Sequence, residues 1–175
     1  MSLRLLHPGC GFAVLPDWLQ TATEVRLDID DDCKPDIKAS ITDMGEIGEF
    51  DIIYTTHTLE HLYQYDVAKA LSEFYRVLKP GGVAFVIVPD VEGVQCNNEV
   101  LYESPAGPIC GLDLYYGLTS YVHANPYYAH HTAFVKETME AQLKAAGFEV
   151  PSVKRLPDYN LMGVGKKPEE SKCQS

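Results

Sequence analysis

Between residues 64 and 89 a helical pattern gives way, across "LKPGG", to the most apolar strand of the chain, "VAFVIVP". Val67, Leu71, Phe74, Tyr75 and Leu78 recur at helical spacing while Lys69, Glu73 and Arg76 face away, so a helix over 64–78 has one face to bury. "KPGG" at 79–82 stops that helix and turns the chain into a strand over 83–89. Short apolar runs predict further strands at 3–7 (LRLLH), 24–28, 37–40 and 51–56, and helices are expected around 14–22 and 135–146. Gly147 then ends the last helix, with two more strands near 152–158 and 160–165. Strand, helix, strand in this order implies parallel pairing through right-handed crossovers. The fold class is therefore α/β, a doubly wound, mostly parallel Rossmann-like sheet with ligands at the carboxyl ends of its strands.

With 175 residues and 46% hydrophobic composition the chain can bury one sizeable core, so a single domain over 1–165 is expected, followed by a polar tail at 166–175. Residues 91–131 break the strand–helix rhythm. Rich in Gly, Pro, Tyr and Asn, they read as an insertion or lid after the fifth strand. The net charge of −11 disfavours a nucleic-acid partner. No run of 18 apolar residues and no signal-like amino terminus is visible, so no membrane association and a soluble, cytoplasmic protein are expected. Five scattered cysteines without a CxxC pair (Cys10, Cys33, Cys96, Cys110, Cys173) agree with reduced thiols.

The first strand runs into "LHPGCGF", a turn with two glycines, Gly9 and Gly11, that can bring backbone against a ligand. A dinucleotide fingerprint would put a small residue where Val14 stands. Asp28, at the end of the second strand and 19 residues after Gly9, is placed to accept both hydroxyls of a ribose. Turn and carboxylate together indicate a cofactor containing a nucleoside.

Residues 50–90 select among such cofactors. The "FDxI" strand, the "LEHL" helix start and "RVLKPGG" before the fifth strand resemble the class I S-adenosylmethionine-dependent methyltransferases, particularly the type acting on small molecules. The resemblance runs from about residue 3 to 90, with a weaker echo in "KAAGFEV". It implies a sheet whose order reverses beside the first strand and that ends in an antiparallel hairpin strand. It also implies S-adenosylmethionine as cofactor, with His7 at the end of the first strand and Gly9, Cys10 and Gly11 along the methionine part. Asp28 would hold the ribose, Ile29 would pack on the adenine, Ser40 and Ile41 would edge it, and Thr56 would sit beside the methionyl amine. His7 stands where the family usually has an acid, and Ser40 where an aspartate commonly meets the adenine amine.

The implied reaction is an in-line displacement at a sulfonium methyl, governed by positioning of a small-molecule acceptor. An oxygen or nitrogen acceptor must also lose a proton. His57, Asp90, Tyr115, His130 and His131 are candidates to take it, and His57, His131 and Asp90 are the favoured set. "HTLEH" at 57–61 formally matches an H-x-x-E-H metal pattern with Glu60 as base, but sequence offers no third ligand, so no metal is expected and Glu60 and His61 read as structural. The tyrosines at 102, 115, 116, 121, 127 and 128 suit either an acceptor pocket or lid packing. "DIDDDCKPD" lacks the spacing of a calcium loop and, beyond Asp28, reads as a solvated turn. Two other readings compete with methyl transfer. One is a catalytically silent domain of the same fold that binds a nucleoside ligand or a partner protein. The other is an NAD-dependent oxidoreductase, which rests on Gly9, Gly11 and Asp28 alone.

Overall fold

The structure is a computed structural model that describes residues 2–169. In chain order its elements are β1 (Arg4–Pro8), β2 (Thr23–Asp28), β3 (Ile37–Lys38), β4 (Phe50–Thr56), α1 (Gln64–Val77), β5 (Leu78–Pro89), β6 (Val100–Ser104), β7 (Gly107–Cys110), α2 (Gly111–Tyr116), α3 (Thr119–Ala124), α4 (Lys136–Ala145), β8 (Glu149–Leu156) and β9 (Asn160–Lys166). Seven strands form one sheet in the order β3-β2-β1-β4-β5-β9-β8. The first five strands pair in parallel, whereas β9 runs antiparallel to both β5 and β8. The strand order reverses between β1 and β4, which opens a crevice at their carboxyl ends.

The period-two pattern of the strands sorts the core into two layers. Leu6, Ile53, Ala84, Val86 and Val88 face Val67, Leu71 and Phe74 of α1 and Met139 and Leu143 of α4, all buried. Leu5, Tyr54, Phe85 and Ile87 face the opposite way. On that side the cover is made by Leu15, Leu19 and Ala22, with Trp18 edge-on to Phe85 at 5.0 Å.

The helix expected over 14–22 is not formed. Only a single 3-10 turn, Asp17–Leu19, is present, because Pro16 is held extended (ψ 154) and Thr23 already pairs with Arg4 in β2. A similar turn, Asp31–Cys33, replaces a crossover between β2 and β3, and the strand expected over 37–40 shrinks to two residues. The 91–131 segment carries its own structure: the β6–β7 hairpin, then α2 and α3, around a small apolar cluster of Val91, Ile109 and Leu114. Of the tail expected over 166–175, the first residues belong to the folded structure. Lys166 still pairs in β9, and the Lys167 ammonium donates to the carbonyls of Tyr75 and Leu78; residues 170–175, with Cys173, lie outside the described residues. Among the described residues no helix is long and apolar enough to cross a membrane.

Candidate functional site

The glycine turn is held from both sides. Gly9 and Cys10 donate their N–H groups to the Leu27 carbonyl (2.8 and 3.2 Å), and the Arg26 guanidinium donates to the carbonyls of Gly11 (2.6 Å) and Ala13 (3.0 Å). Gly9 has φ +65, and a Cβ there would stand 2.1 Å from Thr58 Cγ2, so backbone conformation and close approach both require glycine. Gly11 instead faces open space, with nothing within 4 Å of where a Cβ would be. Its N–H donates to Asp28 Oδ2 at 2.8 Å, and Asp30 N–H donates to Oδ1 at 3.0 Å. These bonds fix the carboxylate at the mouth of the crevice while lone pairs remain on each oxygen.

His7 alternates with Leu5 onto the face of Tyr54, and there it is fully buried. Its Nδ1–H donates to Glu24 Oε1 at 2.7 Å; Glu24 in turn meets Arg26, which holds the turn. Burial lowers the pKa of His7 below 6.5 even though Glu24 and Asp28 pull the other way, Arg26 adding to the depression. A base whose folded pKa is depressed contributes stability that is present above its unfolded value and lost as pH falls through the folded one. Urea unfolding is therefore expected to show a loss of stability as pH falls below about 6.5 that His7→Gln reduces. An equal loss in both proteins would remove His7 from that role.

Across the crevice, β4 ends at Thr56 and the chain turns at His57, a non-glycine residue at φ +51. Thr58 Oγ1 donates to the Gly9 carbonyl at 3.2 Å, joining this turn to the glycine turn. His57 Nδ1 lies 3.2 Å from Glu60 Oε1. Glu60 is 1% exposed, and apart from that ion-pair contact neither oxygen has a well-aligned hydrogen-bond partner. Burial works against charge on both residues. Their mutual attraction outweighs it, holding the His57 pKa above and the Glu60 pKa below the ordinary values.

A cavity of about 650 Å³ lies between these turns. Gly9, Gly11, Asp28, Ile29, Ser40 and Ile41 line one side, and His57, Thr58, His61 and Leu62 another. Asn125, Tyr127 and Tyr128 of the 91–131 segment also line the cavity.

A family model described as a methyltransferase domain matches residues 4–153. The chain belongs to this methyltransferase family. None of the curated protein sequences matches it. Solved structures with the same fold include an S-adenosylmethionine-dependent methyltransferase from Clostridium acetobutylicum (TM-score 0.68, 12% identity, 94% of this chain and 84% of that one). A second is the 1,6-didemethyltoxoflavin-N1-methyltransferase of Burkholderia thailandensis, with 1,6-didemethyltoxoflavin and S-adenosylhomocysteine bound (TM-score 0.62, 14% identity, 96% and 72%). A third is human N-acetylserotonin methyltransferase in complex with S-adenosylmethionine (TM-score 0.63, 16% identity, 94% and 47%). The class I reading stands, with S-adenosylmethionine as the cofactor of the family.

Of the residues expected to meet the cofactor, this methyltransferase brings Gly9, Gly11, Asp28, Ile29, Ser40 and Ile41 to one cavity. His7, Cys10 and Thr56 lie beneath or beside it and do not line it. Burial pushes the Cys10 thiol up to about 12, so it is a packing residue and no nucleophile at neutral pH. Of the proposed catalytic set only His57 lines the cavity. Asp90 is buried and paired with Arg155 at 2.7 Å, and His131 stacks on Tyr63 with ring centres 4.3 Å apart. Tyr115 donates to the Val94 carbonyl, and His130 stands beside His61. Arg26 and Thr58, which position the glycine turn, carry no motif and were not legible in sequence. Phe12 also lines the cavity, and so does the Asp30–Asp32 run that the sequence presents as a solvated turn.

Proposed function

We propose that this chain transfers a methyl group from S-adenosylmethionine to a small oxygen or nitrogen acceptor. The observation that carries the reading is the convergence of the open Gly9–Gly11 turn, the Asp28 carboxylate and His57 on one cavity. The residues fit the cofactor. Asp28 keeps acceptor capacity for ribose hydroxyls, Ile29 offers a half-exposed apolar surface for a base, and Gly11 leaves its backbone uncovered. When bound, S-adenosylmethionine supplies a methyl group activated by its sulfonium charge. The chain has then to orient the acceptor at about 3–3.5 Å and to take its proton. Glu60 orients His57 through Nδ1 and leaves Nε2 to accept that proton. His7 acts through Glu24 and Arg26 as a positioning residue for the glycine turn.

Tyr127 and Tyr128 give the acceptor side aromatic surface, which favours a small planar substrate. The net charge of −11 supports a partner other than nucleic acid, and the unpaired cysteines at 10, 33, 96 and 110 support a reducing, cytoplasmic setting.

Asp28→Ala tests the ribose assignment. Affinity for S-adenosylhomocysteine is expected to fall by about 1–3 kcal/mol, the scale of a lost charge-assisted hydrogen bond, in a protein that remains folded. Unchanged affinity would take Asp28 out of the site. Turnover is read as S-adenosylhomocysteine release across a panel of small phenols, carboxylic acids and heteroaromatic amines. Binding without release on any of them would favour the catalytically silent domain.

A further inference from the structure

We propose that Glu60, His61 and His130 form a site for one divalent first-row transition metal, zinc in the first instance, at the acceptor side of the cavity. The proposal adds to the methyl-transfer reading and rests on it only for what the metal would do there.

The fold assembles a ligand set different from the sequence pattern: His130 joins Glu60 and His61, with Glu60 a ligand and His57 outside the group. Glu60 and His61 lie in the 3-10 turn Leu59–His61 directly after β4. The end of the 91–131 segment is strapped onto that turn: the N–H groups of His131 and Thr132 donate to the Glu60 carbonyl (2.7 and 3.1 Å), and Thr132 Oγ1 donates to the Leu62 carbonyl at 2.7 Å. This brings His130, 70 positions after Glu60 in the chain, next to His61, with ring centres 5.0 Å apart. One ligand atom from each of Glu60, His61 and His130 then lies within 4.8 Å of the others. Such a spread suits atoms around a common ion with metal–ligand bonds of about 2 Å after small adjustments.

Two independent observations point to a cation. The first is Glu60, a nearly fully buried carboxylate whose oxygens have no well-aligned hydrogen-bond partner. A buried ionised carboxylate is costly unless a cation or donors compensate it, and His57, 3.2 Å from Oε1, meets one oxygen only. The second is the outer shell. His61 Nδ1 is 3.2 Å from the Ala129 carbonyl and His130 Nδ1 is 2.9 Å from the Leu114 carbonyl, each an acceptor for an Nδ1–H. Both rings are thus held in the tautomer that leaves Nε2 with a free lone pair, the arrangement usual for metal-bound histidine. Two imidazoles and one carboxylate select a borderline cation over magnesium or calcium, and three protein ligands leave a position open. His61 also lines the cavity, so the open position faces the acceptor and could hold its oxygen or nitrogen.

The test uses the full chain after chelator treatment, titrated with Zn2+ by calorimetry and with Co2+ by visible absorption, alongside S-adenosylhomocysteine as an independent titrant. The expected result is one metal per chain, a Co2+ spectrum without thiolate charge-transfer bands, and a loss of affinity of at least about tenfold in His130→Ala. His130 sits in the inserted segment, and retained S-adenosylhomocysteine binding shows that the variant is folded. A second variant, His61→Gln, should lose metal affinity to a similar degree. Absence of metal binding, binding unaffected by either variant, or a thiolate-type spectrum reporting Cys10 and Cys33 would overturn the proposal. S-adenosylhomocysteine binding without metal binding sinks the metal site alone. Metal binding without S-adenosylhomocysteine binding leaves the site standing and sinks the methyl-transfer reading.

Discussion

His57→Asn is expected to lower methyl transfer by about 10²–10⁴-fold, the usual contribution of a positioned proton acceptor, with S-adenosylhomocysteine affinity nearly unchanged. Asparagine is the informative replacement because position 57 has φ +51, a conformation that asparagine visits readily and alanine does not. The imidazole is the only member of the favoured catalytic set that lines the cavity, and the Glu60 carboxylate faces its Nδ1. Partial rescue of turnover by added imidazole would separate chemistry from structure, since a folding defect gains nothing from a free base. Equal loss of cofactor affinity and turnover, without rescue, would place His57 among the residues that only shape the turn.

Gly9→Ala is the second large effect. The substitution forces an L side chain into φ +65 and drives its Cβ into Thr58, with Cγ2 at 2.1 Å, Oγ1 at 2.6 Å and Cβ at 2.9 Å. A left-handed residue costs about 1–2 kcal/mol and overpacking about 1–3 kcal/mol, so a loss of about 2–5 kcal/mol in unfolding free energy is expected. Cofactor affinity should fall as well, because the same contact ties the glycine turn to the turn carrying His57 through Thr58 and the Gly9 carbonyl. Thr58→Ala in the same chain should relieve the Cγ2 and Oγ1 contacts while the 2.9 Å approach of Cβ and the backbone penalty stay, a split that a double-mutant cycle reads directly. Additive single effects would mean that the two turns are not in contact in solution.

The parts of the fold legible in sequence are those governed by local periodicity. The α1 face and the end of that helix before "KPGG" appear where expected, whereas β5 starts at Leu78 rather than 83 and takes "KPGG" into the strand through an irregularity opposite Phe50–Ile52 of β4. The pattern at 14–22 misled because Leu15, Leu19 and Ala22 have helical spacing but serve to cover Leu5 and Tyr54 from an irregular segment, and Pro16 with the early start of β2 leaves no room for a helix.

The site divides along the same line. Gly9, Gly11 and Asp28 belong to short motifs whose chemistry can be read in one dimension. Arg26 is invisible there, because its bonds to the carbonyls of Gly11 and Ala13 depend on how β2 pairs with β1. The place of His7 at the end of β1 suggests a cofactor contact; the pleat turns it instead toward Tyr54, where it is fully buried and Glu24 takes its Nδ1–H. The partnership of Glu60 and His61 with His130 needs the whole inserted segment to fold back on the turn after β4. No spacing rule encodes a contact of that kind.

Calorimetric titration of the protein with S-adenosylhomocysteine and S-adenosylmethionine, with NAD as the control, tests the central claim most directly. One-to-one binding of both sulfur compounds in the micromolar range, about −8 kcal/mol, with none for NAD is the predicted result. A folded protein that binds neither sulfur compound, or that binds NAD as well as either of them, would contradict the assignment of the cavity at the ends of β1, β2 and β4.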